Sequence, residues 1–206
     1  MAQNRSSAVM QQRAEAEDSL DFFPTPPWAT RALLRHVIGR DHGKEQVWEP
    51  ACGSGAMALP LLEGFGAVYL SDVHDYGAGH DVHDFLFPVM PPRLERCDWI
   101  VTNPPFNLAE EFIVRALGVA EKGCAMLVRT AFLEGVGRYQ RLFQLRPPTQ
   151  VAFFSERVPM VKGRLDQKAS TATSYSWLVW WKGIGPQPPM WIPPCRKTLE
   201  LVGDYG

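Results

Sequence analysis

Short apolar runs alternate along the chain with amphipathic stretches and with turns marked by glycine or proline. Gln46-Val47-Trp48-Glu49 predicts a first strand, and Ala67-Val68-Tyr69-Leu70 a second that ends at Ser71-Asp72. A short third strand is expected ahead of Asp84, and Asp98 to Thr102 forms the fourth. Cys124 to Val128, Val151 to Phe154 and Tyr175 to Trp181 follow as later strands. Helical periodicity fills the gaps. Trp28 to Ile38 brings Leu33, Leu34, Val37 and Ile38 near one face, with Thr25 as the expected cap and Pro26 and Pro27 in the first turn, where a missing N–H costs nothing. Ala56 to Leu59 continues a glycine turn as a helix, and Ala109 to Leu117 is amphipathic, with Glu110 and Glu111 early and Arg115 late, as the helix dipole favours. Gly135 to Leu145 predicts a short basic helix, whereas Pro88 to Arg96 and Gly183 to Arg196 are too rich in proline for regular structure. Trp180, Trp181 and Trp191 are expected in packing. Strands alternating with helices indicate an α/β fold with a largely parallel sheet and right-handed crossovers.

Composition narrows the setting. A chain of 206 residues that is 46% hydrophobic suits one globular domain with a full core. A net charge of −1 does not advertise nucleic-acid binding, so any such surface must be local. No apolar stretch is long enough to span a bilayer, and Met1 to Asp18 is polar without an apolar signal core. The expectation is a mobile arm over residues 1–18, a single domain over 19–206 and a cytoplasmic location. Cys52, Cys97, Cys124 and Cys195 are scattered, as reduced thiols are. His74, Asp75, His80, Asp81, His83 and Asp84 look like a ligand cluster, but their spacing matches no four-ligand structural site, and no metal is expected.

Two turns concentrate the chemistry. Pro50-Ala51-Cys52-Gly53-Ser54-Gly55 joins a strand to a helix, and Gly53 and Gly55 permit positive φ and close backbone approach. The turn lacks the Lys-Ser/Thr ending of a phosphate-binding loop and the third glycine of a dinucleotide fingerprint, so a cofactor carrying a carboxylate fits it better. Asp72, about twenty residues further on, is placed either to accept hydrogen bonds from ribose hydroxyls or to sit solvated in a loop. Asp84 with Phe85 either flanks an adenine ring or folds back as a polar loop. The Phe23-Pro24-Thr25-Pro26 turn either begins a surface helix or meets the cofactor.

The second turn is Asn103-Pro104-Pro105-Phe106, at the end of the fourth strand. Adjacent prolines fix φ and remove two donors, leaving an amide oxygen, a rigid carbonyl and an aromatic face to meet a planar group bearing NH2. A basic stretch over 135–174, with Arg138, Arg157, Lys162, Arg164 and Lys168, is the candidate nucleic-acid surface, against the alternative of a solvated loop.

Set side by side, Glu49-Pro50-Ala51-Cys52-Gly53-Ser54-Gly55 and Asn103-Pro104-Pro105-Phe106 resemble the motifs of S-adenosylmethionine-dependent amino-methyltransferases. With the Phe23-Pro24-Thr25-Pro26 turn ahead of them, their order is similar to the gamma arrangement of DNA adenine-N6 methyltransferases, and the compact chain looks like those carried by phages and prophages. The resemblance implies a Rossmann-like class I methyltransferase fold, with a seven-stranded, mostly parallel sheet flanked by helices. It implies that Phe23, Thr25 and Pro26 hold the methionine end of S-adenosyl-L-methionine, and that Glu49, Ala51, Gly53 and Gly55 form its turn. Asp72 would bind the ribose, and Asp84 with Phe85 the adenine. Asn103 and the Pro104 carbonyl, with Pro105 rigidifying the loop, would accept from the target amine, and Phe106 would stack on the target base. The implied substrate is DNA at adenine N6. No separate stretch serves target recognition, which implies short or relaxed site specificity. RNA adenine, cytosine N4 and a protein glutamine amide present the same NH2 group and stay open, as does a non-enzymatic, cofactor-binding regulator; the sequence does not set the oligomeric state.

Overall fold

The computed structural model describes residues 21–94 and 96–205; the expected arm over residues 1–18 lies outside them. The strands are β1 (His42–Glu49), β2 (Phe65–Asp72), β3 (Asp81–Val82), β4 (Trp99–Thr102), β5 (Gly123–Arg129), β6 (Gln150–Phe154), β7 (Tyr175–Trp181) and β8 (Met190–Ile192). They form one eight-stranded sheet in the order β3-β2-β1-β4-β5-β7-β6-β8. β7 pairs antiparallel with both β5 and β6, and every other neighbouring pair is parallel. The expected mostly parallel sheet is therefore present, with one strand more than the seven anticipated.

The extra strand is β8, inside the proline-rich tail that was expected to lack regular structure. It pairs only with β6, at the sheet edge, so Pro188-Pro189 and Pro193-Pro194 bound it without costing any ladder bond on its free side. Trp191 on this strand is 67% exposed and leans on Phe153 at 5.8 Å, so it does not pack inside as expected; Trp180 does.

Both faces of the sheet are covered, and the two-residue period of each strand divides its apolar run between them. Val47, Trp99, Val101, Leu127, Trp177 and Val179 enter one core with Trp28 and Leu33 of α1 (Pro27–Leu33). Trp48, Ile100, Met126, Leu178 and Trp180 enter the other with Phe112 and Ile113 of α3 (Ala109–Val119), while α2 (Ala58–Leu62) carries Leu61 into the first. An unpaired buried indole N–H costs about 1–3 kcal/mol. Trp48 donates to Ser71 Oγ at 2.8 Å, Trp99 to Glu45 Oε2 at 2.8 Å and Trp177 to the Ala29 carbonyl at 3.1 Å.

The first helix begins one residue later than the capping rule predicts. Pro26 precedes another proline, which disfavours the helical region; its ψ is 130°, and it becomes the N-cap without a side-chain hydrogen bond. Thr25 is not the cap, and its buried hydroxyl oxygen has no protein partner. The last turn widens to π geometry over Leu34–Ile38 and stops at Gly39, where φ is 86°. Buried Arg31 on α1 binds Glu63 and Asp204 at 2.7 Å and the Leu199 carbonyl at 2.9 Å, fastening the C-terminal α5 (Arg196–Leu199) region to the first core. The basic stretch after Gly135 forms a helical turn, α4 (Val136–Arg138), followed by π geometry over Tyr139–Phe143.

Gly123 opens β5 where two strands and an indole converge. A Cβ there would lie 2.5 Å from the Trp180 carbonyl oxygen and 2.9 Å from the Trp99 ring. Gly123→Ala is expected to cost about 1–3 kcal/mol, read as a lower urea midpoint with an unchanged slope.

Candidate active site

Strand order reverses between β1 and β4: the chain runs outward through β2 and β3 on one side and through β5 on the other. Parallel pairing of Val47 with Trp99 and Trp48 with Ile100 sets the carboxyl ends of these two strands side by side. Crevices at such a reversal are where open α/β sheets take ligands. Here the glycine turn leaves β1, the Asn-Pro-Pro-Phe turn leaves β4, and a cavity of about 240 Å³ lies between them. It brings together Phe23, Thr25, Glu49, Ala51, Gly53, Asp72, Asp84, Phe85, Asn103 and Pro105. Pro26, Gly55, Pro104 and Phe106 are not in its lining: Pro26 caps α1, Gly55 shapes the turn from behind, Pro104 is buried, and Phe106 faces a different neighbourhood.

The glycine turn is built by close approach. Gly53 and Gly55 have φ of 52° and 81°. A Cβ on Gly53 would lie 2.4 Å from the Phe22 ring, so the segment ahead of α1 folds directly onto the turn. Gly55 N donates to the Cys52 carbonyl at 2.8 Å, Cys52 N to the Ser71 carbonyl at 3.1 Å and Gly53 N to Asp72 Oδ2 at 2.9 Å. Asp72 Oδ1 accepts from His74 N at 3.1 Å, so one carboxylate oxygen braces the glycine turn and the other the loop that leaves β2. Regular helix starts only at Ala58, two residues later than expected.

Glu49, at the end of β1, is 2% exposed, and its Oε2 has no protein partner. Burial pushes its carboxyl well above the usual carboxylate range, and the neighbouring Asp72 charge adds to the effect. Phe85 is buried edge-on against Trp48, centroids 5.0 Å apart, and beside Phe112 at 4.8 Å, while its carbonyl accepts from Arg115 Nε at 3.2 Å. Asp84 Oδ1 accepts from Leu86 N at 2.9 Å, fixing the loop on which Phe85 sits. Tyr76 also lines the cavity and packs against Phe22 at 4.5 Å; the sequence gives no sign of it, because no periodicity marks an aromatic in an irregular loop. Elsewhere in this His/Asp-rich segment the carboxylates have local partners: Asp81 meets Tyr69 and Arg93, and Asp75 meets Gly77 N. Among the described residues no three His, Cys, Asp or Glu side chains converge as metal ligands.

On the β4 side, Asn103 Nδ2 donates to the Phe23 carbonyl at 2.9 Å and lies 3.5 Å from the Met160 sulfur. That carbonyl fixes the orientation of the amide, and Asn103 Oδ1 is left buried without a protein partner. Phe106 N donates to Asp21 Oδ2 at 2.6 Å. The Phe106 ring sits 5.3 Å from Phe23 and 6.3 Å from Tyr175, with the Arg129 guanidinium 3.8 Å above its centre.

The stretch from Ser155 to Ser174 is less uniformly polar than expected. Val158 and Met160 are buried, and Gly163 N donates to the Phe22 carbonyl at 2.8 Å, tying this loop to the cavity wall. Arg157, Lys162, Arg164 and Lys168 are exposed upon it; Arg157 bonds Ser174 Oγ, and Arg164 pairs with Asp166 at 3.1 Å. Arg138 lies apart from this loop, its guanidinium donating to the Phe132 and Glu134 carbonyls at 2.8 and 2.7 Å and lying over the Phe132 ring. All four cysteines are buried.

The raised Glu49 carboxyl predicts a pH signature. Between the ordinary carboxylate range and its elevated folded value, the folded protein holds a proton that the unfolded chain has released, so this group makes stability fall as pH rises. Glu49→Gln removes that contribution. Its thermal midpoint is expected to decline less than the wild type's between about pH 5 and 8; parallel declines would show that Glu49 ionises normally.

No protein-family model matches the chain, and neither does any curated protein sequence. Solved structures do share its fold. A modification subunit of a presumed type I restriction enzyme from Vibrio vulnificus YJ016 superposes with a TM-score of 0.56 at 18% identity, over 87% of this chain and 48% of its own. A presumed RNA methyltransferase from Pyrococcus horikoshii gives 0.57 at 15% identity, over 84% of this chain and 96% of its own. A dimethyladenosine transferase from Plasmodium falciparum gives 0.51 at 14% identity, over 78% and 64%. The chain thus spans about half the length of the first of these and nearly all of the second. At such identities the likeness concerns architecture: this chain has the α/β fold of class I methyltransferases, with a mostly parallel sheet flanked by helices.

Proposed function

We propose that this protein transfers a methyl group from S-adenosyl-L-methionine to the exocyclic N6 amine of adenine in DNA. The observation that carries the proposal is the Asn103 amide. Its nitrogen is committed to the Phe23 carbonyl, and its buried oxygen is left as an acceptor beside the cavity. A buried acceptor without a partner is costly and suits a neutral NH2 donor. The shared fold supports methyl transfer, and the nucleic-acid methyltransferases among the similar structures favour a base as target.

The residues opposite Asn103 fit the cofactor. Glu49 Oε2 is a second buried oxygen without a protein partner, suited to a hydroxyl of the cofactor. Asp72 accepts one backbone hydrogen bond per oxygen, from Gly53 N and from His74 N, and each carboxylate oxygen keeps acceptor capacity for ribose hydroxyls. Gly53 leaves room for Phe22 to lie against the turn, and Asp84 with Phe85 bounds the side assigned to the adenine. Phe23 and Thr25 close the end assigned to methionine.

When bound, S-adenosylmethionine supplies a methyl group already activated on a sulfonium. The task left to the protein is the acceptor, since the lone pair of an exocyclic amine is delocalised into its ring. Hydrogen bonds from that amine to Asn103 Oδ1 and the Pro104 carbonyl favour a pyramidal nitrogen and aim its lone pair, so catalysis rests on orientation and preorganised charge. A base stacked in a duplex cannot enter a crevice between strand ends, so the target arrives flipped or single-stranded, and Phe106 offers a replacement stacking face. Arg157, Lys162, Arg164 and Lys168 extend from the same loop that reaches Asn103 through Met160, and serve as backbone contacts.

Incubation with labelled S-adenosylmethionine and unmethylated DNA, RNA or protein, followed by mass spectrometry, is expected to place the label on adenine N6 of DNA; label on protein alone, or nowhere, defeats the assignment. Asn103→Ala is expected to lower kcat by about 10²-fold or more. Its cofactor affinity should change by less than about tenfold, because only one neutral hydrogen bond, to Phe23, disappears. Charge reversal at Arg157 and Arg164 together is expected to weaken DNA binding and to flatten its dependence on log salt by about 0.9 for each phosphate no longer neutralised. Unchanged affinity and slope would remove both arginines from the interface.

A further inference from the structure

Arg129 is the last residue of β5 and stands opposite Tyr175 at the end of the β5–β7 ladder. β5 also pairs with β4 in register up to Thr102 and Met126, so Arg129 lies at the same sheet edge as Asn103, one strand across. It is exposed, whereas the six residues before it on the strand are buried. Its guanidinium does not turn away to solvent: it lies 3.8 Å above the centre of the Phe106 ring and close to the hydroxyl of buried Tyr175. The ring beneath it is held in place by its neighbours. Phe106 N is bonded to Asp21, and the ring packs against Phe23 and Tyr175. The face covered by Arg129 is therefore one that an exposed side chain occupies.

We infer that Arg129 is a substrate-contacting residue: the target base enters between its guanidinium and the Phe106 ring, so that the planar cation caps the base on the side away from Phe106. This rests on the reading of Asn103 to Phe106 as the acceptor loop for a nucleobase. A cation over an aromatic ring is a weak contact, weaker than a base stacked on an aromatic side chain, so stacking of a base on Phe106 offsets the loss of that contact and of the hydrogen bond between Arg129 and the Tyr175 hydroxyl. The displaced guanidinium keeps a π-face to cover, because it is planar and weakly hydrated; an ammonium group cannot stack in that way. Movement outward by one ring thickness is within reach of an arginine side chain at a strand end, with no backbone change. Arg129 escapes motif reading because it comes from another strand and follows an ordinary apolar run.

The test uses the full chain, tritiated S-adenosylmethionine and unmethylated single-stranded DNA of mixed sequence, with RNA of the same sequence in parallel. Arg129→Ala is expected to raise KM for the nucleic acid about tenfold while kcat stays within about threefold, the pattern of a contact made equally in ground and transition states. Cofactor affinity, measured by calorimetry on the same sample, should be unchanged and reports that the variant is folded. Arg129→Lys should keep the salt dependence and recover less than half of the loss; Arg129→Gln, planar but uncharged, should lose salt dependence and keep part of the stacking. Full rescue by lysine would mean a charge contact and overturn the stacking arrangement. An unchanged KM in Arg129→Ala, with active wild type, would overturn the assignment of Arg129 and leave the methyl-transfer reading standing. A wild type that methylates neither nucleic acid would overturn both.

Discussion

The sheet changes direction once in its parallel half, between β1 and β4, and the architecture of the site follows from that reversal. Between β1 and β2 and between β4 and β5 the connection carries a helix, α2 or α3, that packs on a face of the sheet. At the reversal the two connections diverge, so the turns that follow Glu49 and Thr102 are held apart by strand pairing and open toward each other. Parallel pairing fixes how far each strand end projects. A register slip on either strand would turn Glu49 or Asn103 toward the opposite core and leave a polar group among buried tryptophans.

Within this frame, two acidic side chains at the ends of β1 and β2 divide the work. Asp72 satisfies its oxygens on Gly53 N and His74 N, and so shapes the backbone of the glycine turn. Glu49 sits deeper, with a raised pKa and an oxygen without a protein partner. Asp72 has a backbone donor on each oxygen, whereas Glu49 Oε2 has no protein partner. The distinction lies in burial and in which backbone N–H groups the register brings near, not in residue type.

Much of the fold was legible because buried parallel strands are written as unbroken apolar runs: Trp99 to Thr102 and Cys124 to Val128 admit few other readings. Glycines at positive φ made the β1 turn legible as well. What escaped has physical causes. β8 is hidden by flanking prolines that an edge strand tolerates. Thr25 looked like a cap until consecutive prolines moved the helix start past it. Tyr76 lines the cavity and Arg129 covers Phe106 through long-range packing that leaves no local pattern, and the buried Val158 and Met160 interrupt a loop whose charge dominated its reading. The Asn-Pro-Pro-Phe turn was legible at the end of β4, but its parting of ways was not: Asn103 lines the cavity, whereas Phe106 packs against Phe23 and Tyr175 beneath Arg129.

The five residues ahead of α1, Asp21 to Thr25, touch every part of this region. Their side chains line the cavity, the Phe23 carbonyl orients Asn103, the Asp21 carboxylate holds Phe106 N, and the Phe22 carbonyl holds the loop at Gly163. A ligand in the cavity and a target at Asn103 would therefore share a wall rather than merely a neighbourhood. Thermodynamic linkage then applies: to whatever degree the first ligand steadies that wall and raises affinity for the second, the second raises affinity for the first by the same factor. Joint occupancy of the two sites can then be favoured with no separate lid, because one short extended segment is common to both.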